Sequence, residues 1–364
     1  MRLIYFSPVP FGSFRQRPHA LVDFLSRNGV TETIWIEPYP TRLPQWTDLR
    51  TGNTRPAFAN GISNVKVVPV RAIPAEPWVV GRWLNKRWLF GDLQESLSGM
   101  AQDELVVGIG KPSELALDFL SRNPGVVSFY DMMDDFPHFY TGISRAHMAK
   151  TETGICRRVD HVIASSDYLV EKAKRITGNV ELVLNACDAP PDTVSRAAEP
   201  DVYGYIGTIG KWFDWGLVTN FANSVRESPV DIIGPVHQPP ARSLPDNVRL
   251  LPPCPHTEVW HHMSRFRAGL IPFQANALTR SVDPIKFYEY TAMGLPVLSS
   301  SFGQMRDRVG QGHVADMGTS GSREIRSLQK VVARSGFRTA FLSENTWQAR
   351  FGRSTTISRL TESR

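Results

Sequence analysis

Short apolar runs alternate with amphipathic stretches along almost the whole chain, and this alternation restricts the fold more than any other feature. Leu3 to Phe6, Glu32 to Ile36, Val65 to Val70, Leu105 to Ile109, Val126 to Tyr130 and His161 to Ala164 read as buried strands. Between several of them lie helical patterns, such as Arg17 to Arg27 (apolar at Leu21, Val22, Phe24 and Leu25) and Asp167 to Ile176. Near-continuous apolar strands separated by helices indicate a parallel sheet covered on both faces. The pattern then restarts. Residues 189–200 are Pro-rich and aperiodic and read as a linker. After it, strands are expected at Val202 to Ile206, Val230 to Ile233, Val248 to Leu251, Ala268 to Ile271 and Pro296 to Ser299, with helices around Leu217 to Glu227, Thr257 to Arg265 and Pro284 to Met293. A length of 364 residues suits two such domains. The expected architecture is α/β: two doubly wound domains facing a central cleft, over 1–190 and 200–340, with a helical segment over 341–364 returning to the first. Ligands of such sheets bind outside the carboxyl ends of the strands.

Apolar residues make up 41% and charged residues 21% of the chain, as in ordinary soluble domains. No run approaches the roughly 18 apolar residues of a membrane span, and the first residues enter a strand rather than a signal peptide. Cys156, Cys187 and Cys254 are too few and too scattered for a disulfide framework or a zinc site, so a cytoplasmic setting is expected. The net charge is +6, and residues 1–100 carry 12 Lys/Arg against 7 Asp/Glu. An anionic membrane surface or a phosphorylated substrate accounts for that excess, as does ordinary basic composition. Nucleic acid is disfavoured, because there is neither a basic tail nor zinc-finger spacing.

The stretch from Ser281 to Val297 carries the most chemistry. Asp283 suits an N-cap and Pro284 the first helical position, while Gly294 and Pro296 end the helix. Lys286 then lies in the first turn of a helix, beside its free amides, where a diphosphate is favoured. Glu289 is on the same face and can accept hydrogen bonds from two ribose hydroxyls. The same pair is also an ordinary i,i+3 surface ion pair. Upstream, Gly207 and Gly210 allow close backbone approach after a strand, Lys211 is a phosphate candidate, and Asp214 can cap the next helix. Gly234 ends the following strand.

Asp131, Asp134 and Asp135 follow the strand Val126 to Tyr130, among aromatics. Carboxylates this close raise one another's pKa, which suits a general base. One of them, Asp135, can instead simply cap the next helix. The same trio can be read as a Mg²⁺ cluster of a phosphohydrolase. His138 lies beside them. Gly12, Arg15 and Arg17, in the turn after the first strand, suit a phosphate or a solvated helix start. Trp78, Trp83 and Trp88 interleave with Arg82, Lys86 and Arg87, which fits an interfacial helix on anionic lipid or a Trp-rich core helix.

The pattern K-x-x-E-Y-x-A-x-G-x-P-V over Lys286–Val297, after Ile271-Pro272-Phe273, resembles the nucleotide-sugar motif of GT-B glycosyltransferases. Closest in type are the surface-polysaccharide transferases related to xanthan glucuronosyltransferase and to teichuronic-acid enzymes. The turn Gln16-Arg17-Pro18-His19 resembles their N-terminal turn, and Asn185–Asp188 their domain-closing turn. The resemblance implies the GT-B fold with two Rossmann-like domains. It implies donor binding by Lys286, Glu289, Gly207, Lys211, Gly234 and Arg17, and an aspartate base at Asp134 or Asp135. Ser281 stands where many retaining members carry an acidic residue, so inverting transfer is expected. The implied reaction moves a sugar from a nucleotide-sugar, UDP by resemblance, to a glycan or lipid-linked acceptor, with no cofactor and no metal. A nucleotide-binding protein of the same fold without turnover is the other reading; a dehydrogenase is disfavoured because no G-x-G-x-x-G follows the first strand.

Overall fold

A computed structural model describes residues 1–43, 61–91 and 104–362. The chain forms two compact units, one of Met1–Val183 with Phe351–Arg364 and one of Leu184–Arg350.

Unit 1 is built on seven parallel strands in the order β3-β2-β1-β4-β5-β6-β7. Its elements run β1 (Arg2–Phe6), α1 (Arg17–Arg27), β2 (Glu32–Ile36), β3 (Val65–Val68), α2 (Val79–Leu84), β4 (Leu105–Ile109), α3 (Glu114–Arg122), β5 (Val127–Met132), α4 (Gly142–Cys156), β6 (His161–Ala164), α5 (Asp167–Lys174) and β7 (Val180–Leu182). Leu3, Ile4 and Tyr5 are fully buried because β1 is central and covered on both faces. Ser113 and Ser166 start α3 and α5 as side-chain caps, accepting from the N–H of Ala116 and Leu169. β3 stops at Val68 rather than Val70, since Pro69 has no N–H to give the ladder. β5 runs on to Met132, so Asp131 lies inside the strand and not after it.

Unit 2 has six parallel strands in the order β10-β9-β8-β11-β12-β13. These are β8 (Val202–Ile206), α6 (Trp215–Ser224), β9 (Val230–Ile233), β10 (Val248–Leu251), α7 (His256–Ser264), β11 (Phe266–Ile271), α8 (Ile285–Ala292), β12 (Val297–Ser299), β13 (Val314–Asp316), α9 (Ser322–Val332) and α10 (Phe337–Asn345). In both sheets the strand order reverses at one place, between β1 and β4 and between β8 and β11. Crevices for ligands open at the carboxyl ends beside such reversals. Asp214 caps α6, accepting from the Leu217 N–H at 2.9 Å.

The chain crosses between the units twice. The first crossing is at Val183–Leu184, ahead of the Pro-rich stretch where a linker was expected. That stretch is fastened to unit 2: Arg196 donates to the carbonyls of Gly294 (2.9 Å) and Phe266 (3.0 Å). The second lies within α11 (Trp347–Gly352), and α12 (Thr355–Glu362) belongs to unit 1. The expected C-terminal segment 341–364 is thus divided, its first residues staying with unit 2. Glu181 at the edge strand β7 receives the start of α12, accepting from Ser354 Oγ (3.0 Å) and the N–H groups of Thr355 (3.0 Å) and Thr356 (2.8 Å). Burial alone would raise the Glu181 pKa, but these bonds hold it below the usual range. Among the described residues no helix is long and apolar enough to cross a membrane.

Candidate functional site

At the carboxyl ends of β8 and β9 two glycines lie back to back. The Gly207 N–H continues the ladder to the Ile233 carbonyl at 2.8 Å, and both Gly207 (φ +143°) and Gly234 (φ +138°) have backbones closed to ordinary side chains. A Cβ on Gly234 would stand 2.2 Å from the Gly207 carbonyl oxygen, and one on Gly207 would stand 2.4 Å from Lys286 Nζ. Close approach of backbone therefore requires glycine at Gly234, and the positive φ favours it at Gly207, where the Lys286 side chain can shift.

Lys286 is delivered to this floor by the first turn of α8. Its Nζ lies 5.4 Å from the centre of the Tyr205 ring, and among the described residues it makes no hydrogen bond or ion pair. Burial lowers its pKa, and the nearby Glu289 partly restores it. An ammonium held in a desolvated place with spare N–H donors is a strong site for an anion. Glu289 follows on the same helix, half-buried. Lys211 is exposed in the turn after Gly210, and the structure does not bring it to Lys286.

The start of α8 differs from expectation. The N-cap position is taken by Pro284, and Asp283 makes no cap. Asp283 is buried and holds other partners: the Asn185 N–H, the Tyr288 hydroxyl and Arg308, each at 2.8 Å. Asn185 Nδ2 returns a bond to the Asp283 carbonyl at 2.6 Å. Long-range donors of this strength outcompete a local cap. The other end of the helix is as read, closing at Gly294 through Leu295 N–H to Tyr290 O (2.9 Å) and Gly294 N–H to Thr291 O (2.8 Å). Arg338 adds a cation to the last carbonyls, bonding Ala292 O at 2.9 Å. Ser281 is buried and donates to Leu278 O at 3.4 Å.

In unit 1 the three aspartates separate into distinct environments. Asp131 is fully buried and receives Arg17 Nε at 2.8 Å and the Tyr5 hydroxyl at 3.4 Å. Burial nonetheless raises its pKa against the pull of Arg17. Asp135 accepts from Lys172 at 2.7 Å and the Tyr168 hydroxyl at 3.1 Å and faces His138 Nδ1 at 2.8 Å. Burial would raise its pKa, but Lys172 and His138 hold it low. Asp134 has no hydrogen bond or ion pair among the described residues. By surface area the residue is only half-buried, yet the protein packed around its carboxyl, then the charges of Asp135 and Asp131, push its pKa to about 7. Of the three, Asp134 alone combines accessibility, an unshared carboxylate and titration near neutrality, the attributes of a general base.

Arg17 is taken into the interior of unit 1. It is 2% exposed, bonded to Asp131 and donating to the Val183 carbonyl at 2.7 Å. His19 is buried with it, its Nδ1 accepting the Gln16 N–H at 3.3 Å. The turn that suggested a phosphate contact is thus a fastening of α1 in this unit. Among the described residues no three His, Cys, Asp or Glu side chains are grouped as a metal site. Tyr205 and Arg308 were not singled out from sequence. Tyr205 looks like any strand tyrosine, and Arg308 is 25 residues beyond its partner Asp283.

No protein-family model matches the chain. Over 175 residues it is 26% identical to TuaH of Bacillus subtilis (strain 168), named as a glycosyltransferase of teichuronic acid biosynthesis. That stretch is 43% of the chain and 44% of the relative, so the chain matches less than half of TuaH. The fold is similar to that of Anabaena HepE, solved in complex with UDP-glucose, with a TM-score of 0.66 and 11% identity over 100% of each chain. It is also similar to sucrose-phosphate synthase of Thermosynechococcus elongatus (TM-score 0.61, 12% identity, 96% of each chain). A third likeness is to AviGT4, a glycosyltransferase of avilamycin A biosynthesis (TM-score 0.58, 14% identity, 99% of this chain and 97% of that one). Identities this low speak for architecture alone. With its two parallel sheets, the chain has the GT-B fold, and in sequence it resembles a bacterial glycosyltransferase of teichuronic acid biosynthesis.

Proposed function

We propose that the chain transfers a sugar from a UDP-sugar to a hydroxyl of a glycan or lipid-linked acceptor in surface-polysaccharide assembly, with inversion. The observation that carries this reading is Lys286, an ammonium without a hydrogen bond or ion pair among the described residues, over Tyr205 and against the bare backbone of Gly207. A diphosphate supplies the counter-charge that this cation lacks, and Glu289 is spaced to accept from a ribose. HepE, of the same fold, binds UDP-glucose, which supports the choice of nucleotide. The likeness to TuaH supports the class of product.

In the proposed step Asp134 takes the proton of the acceptor hydroxyl. The acceptor oxygen forms a bond to the anomeric carbon as the bond from that carbon to the diphosphate breaks, and UDP departs with both electrons. Lys286 meets the charge that grows on the leaving phosphate. Ser281, bonded to a backbone carbonyl, leaves no carboxylate at the position where many retaining relatives carry one. Since a protein cation serves the leaving group, turnover is expected to survive EDTA; activity abolished by EDTA and restored by Mg²⁺ would count against that part.

Calorimetry with UDP tests the nucleotide assignment. Glu289→Ala is expected to weaken UDP about tenfold, as loss of a charge-assisted hydrogen bond does. An unchanged affinity would remove Glu289 from the nucleotide site.

A further inference from the structure

The most exposed apolar surface among the described residues lies on one short helical turn of unit 1. Trp78, Val79, Val80, Trp83 and Trp88 are 55–72% exposed. A Trp-rich core helix, one of the two readings of this segment, is excluded by that exposure. The inner face is firmly held. Gly81 packs so close to Ala75 that a Cβ would stand 2.3 Å from its carbonyl oxygen. Asn85 is fully buried and bonds the Ile73 backbone twice, N–H to Oδ1 at 2.8 Å and Nδ2 to O at 3.1 Å. Phe90 is fully buried too.

Helical geometry explains how the tryptophans share a face. Five residues of α-helix turn a side chain roughly 140° away from its starting direction. Here α2 passes into a π-helical turn over Asn85–Leu89, closed by Phe90 N–H to Asn85 O at 2.9 Å. The wider turn brings residues five apart together, and the Trp83 and Trp88 rings lie 6.5 Å apart. A π turn costs hydrogen-bond geometry, and here it gathers indoles that nothing in the described structure covers.

The charge around this face names its partner. Residues 61–91 contain five cations, Lys66, Arg71, Arg82, Lys86 and Arg87, and one carboxylate, Glu76, which is buried. Lys86 is shared with Glu114 (3.6 Å) and Asp118 (3.3 Å), whereas Arg87 is exposed with no such partner among the described residues. Indole rings with cations beside them suit the headgroup zone of a bilayer, where the ring is half solvated and the cation meets anionic lipid. We propose that the turn from Trp78 to Trp88 docks unit 1 on an anionic lipid surface, inserting Trp83, Trp88 and the Val79–Val80 pair to headgroup depth. This rests on neither the donor site nor the base.

The test is co-sedimentation of the full chain with vesicles of phosphatidylcholine alone and of phosphatidylcholine mixed equally with phosphatidylglycerol. Binding is expected to the mixed vesicles, with release by salt. The double variant Trp83→Ala/Trp88→Ala is expected to bind about tenfold or more weakly, and Arg87→Gln about fivefold. UDP affinity and melting temperature should stay unchanged in both, because all three side chains are exposed. Failure of the native chain to bind the mixed vesicles, or equal binding by the double variant, overturns the proposal. So does self-association that the double variant abolishes without any vesicle binding; the face would then be a protein interface.

Discussion

Asp283 accepts a hydrogen bond from the backbone N–H of Asn185 at 2.8 Å, joining residues 98 apart in sequence. The same carboxylate holds Arg308, whose guanidinium lies over the Phe287 ring at 4.1 Å. The turn that begins α8 is thus tied to the segment by which the chain enters unit 2. Asp283→Ala removes the acceptor shared by the Asn185 N–H, the Tyr288 hydroxyl and Arg308, the only carboxylate paired with that largely buried guanidinium among the described residues, and is expected to destabilise unit 2 by about 3 kcal/mol or more. Urea unfolding of the full chain, followed by Trp212 and Trp215 fluorescence in a background where other tryptophans are replaced by phenylalanine, measures it. A loss under about 1 kcal/mol would show that other bonds position this turn.

Lys286 should discriminate phosphate from nucleoside. Lys286→Met is expected to weaken UDP about tenfold or more while leaving uridine unchanged. Because burial lowers the Lys286 pKa, UDP affinity should fall with rising pH below the ordinary lysine range, and UDP binding there should take up a proton. In the free protein the unfolded state binds that proton more tightly, so this group makes stability rise with pH through the same window. Equal weakening of UDP and uridine, by calorimetry in two buffers of different ionisation heat, would remove Lys286 from the phosphates.

Asp134 separates catalysis from stability. Under the proposed mechanism, its pKa of about 7 predicts transfer that declines as pH falls below neutrality and Asp134 becomes protonated. Asp134→Asn is expected to lower transfer roughly 10² to 10⁴-fold, abolish that acidic limb, and leave UDP affinity near normal. The sign for stability is opposite. A raised carboxyl pKa means stability is greatest below the unfolded value and is lost as pH rises through about 7, so the Asn variant should melt higher at neutral pH. Asp135→Asn, by contrast, takes a charge from Lys172 and should melt lower. An acidic limb that persists in Asp134→Asn would assign the base elsewhere.

Glu181 controls attachment of the last helix. Glu181→Ala removes three accepted bonds and is expected to cost about 1–2 kcal/mol of helix docking. With a folded pKa below its unfolded one, Glu181 stabilises at neutral pH and loses that contribution as pH falls through the acid range. Hydrogen exchange across residues 355–362 reads the effect; protection equal to that of the native chain would locate the fastening in Ile357 and Leu360 alone.

Much of the architecture is legible because it is written in local patterns. β2, β4, β6, β8, β9 and α1 lie where apolar runs and periodicity put them, since each is central or strongly amphipathic, and the edge strand β10 is found by its apolar run Val248–Leu251. The edge strands β7 and β13 are three residues each and partly exposed, so no apolar run announces them. α4 escapes because its buried face includes Ser144, Thr151 and Glu152, polar residues that make sense only once Tyr130 and Lys172 lie opposite Glu152. The same holds at the site. The first-turn place of Lys286 and the strand-end places of Gly207 and Gly234 are local, whereas the fates of Arg17 and Asp283 depend on Asp131, 114 residues on, and on Arg308 and Asn185. A residue's local suitability for a cap or a phosphate does not reveal a stronger partner far along the chain.

Unit 1 is interrupted by the whole of unit 2, and this sets an order of events on the ribosome. Phe351, Ile357 and Leu360 are buried in unit 1, Phe351 against Phe24 with ring centres 5.7 Å apart, yet they are translated only after residues 184–350. At roughly 5–20 residues per second that delay lasts on the order of ten to thirty seconds. Unit 2 is contiguous and can complete its sheet while the seat around Phe24 still waits for its cover. During that interval the nascent N-terminal sheet lacks the cover that Phe351, Ile357 and Leu360 provide, and a chaperone that shields the apolar seat around Phe24 would raise the yield of native chain.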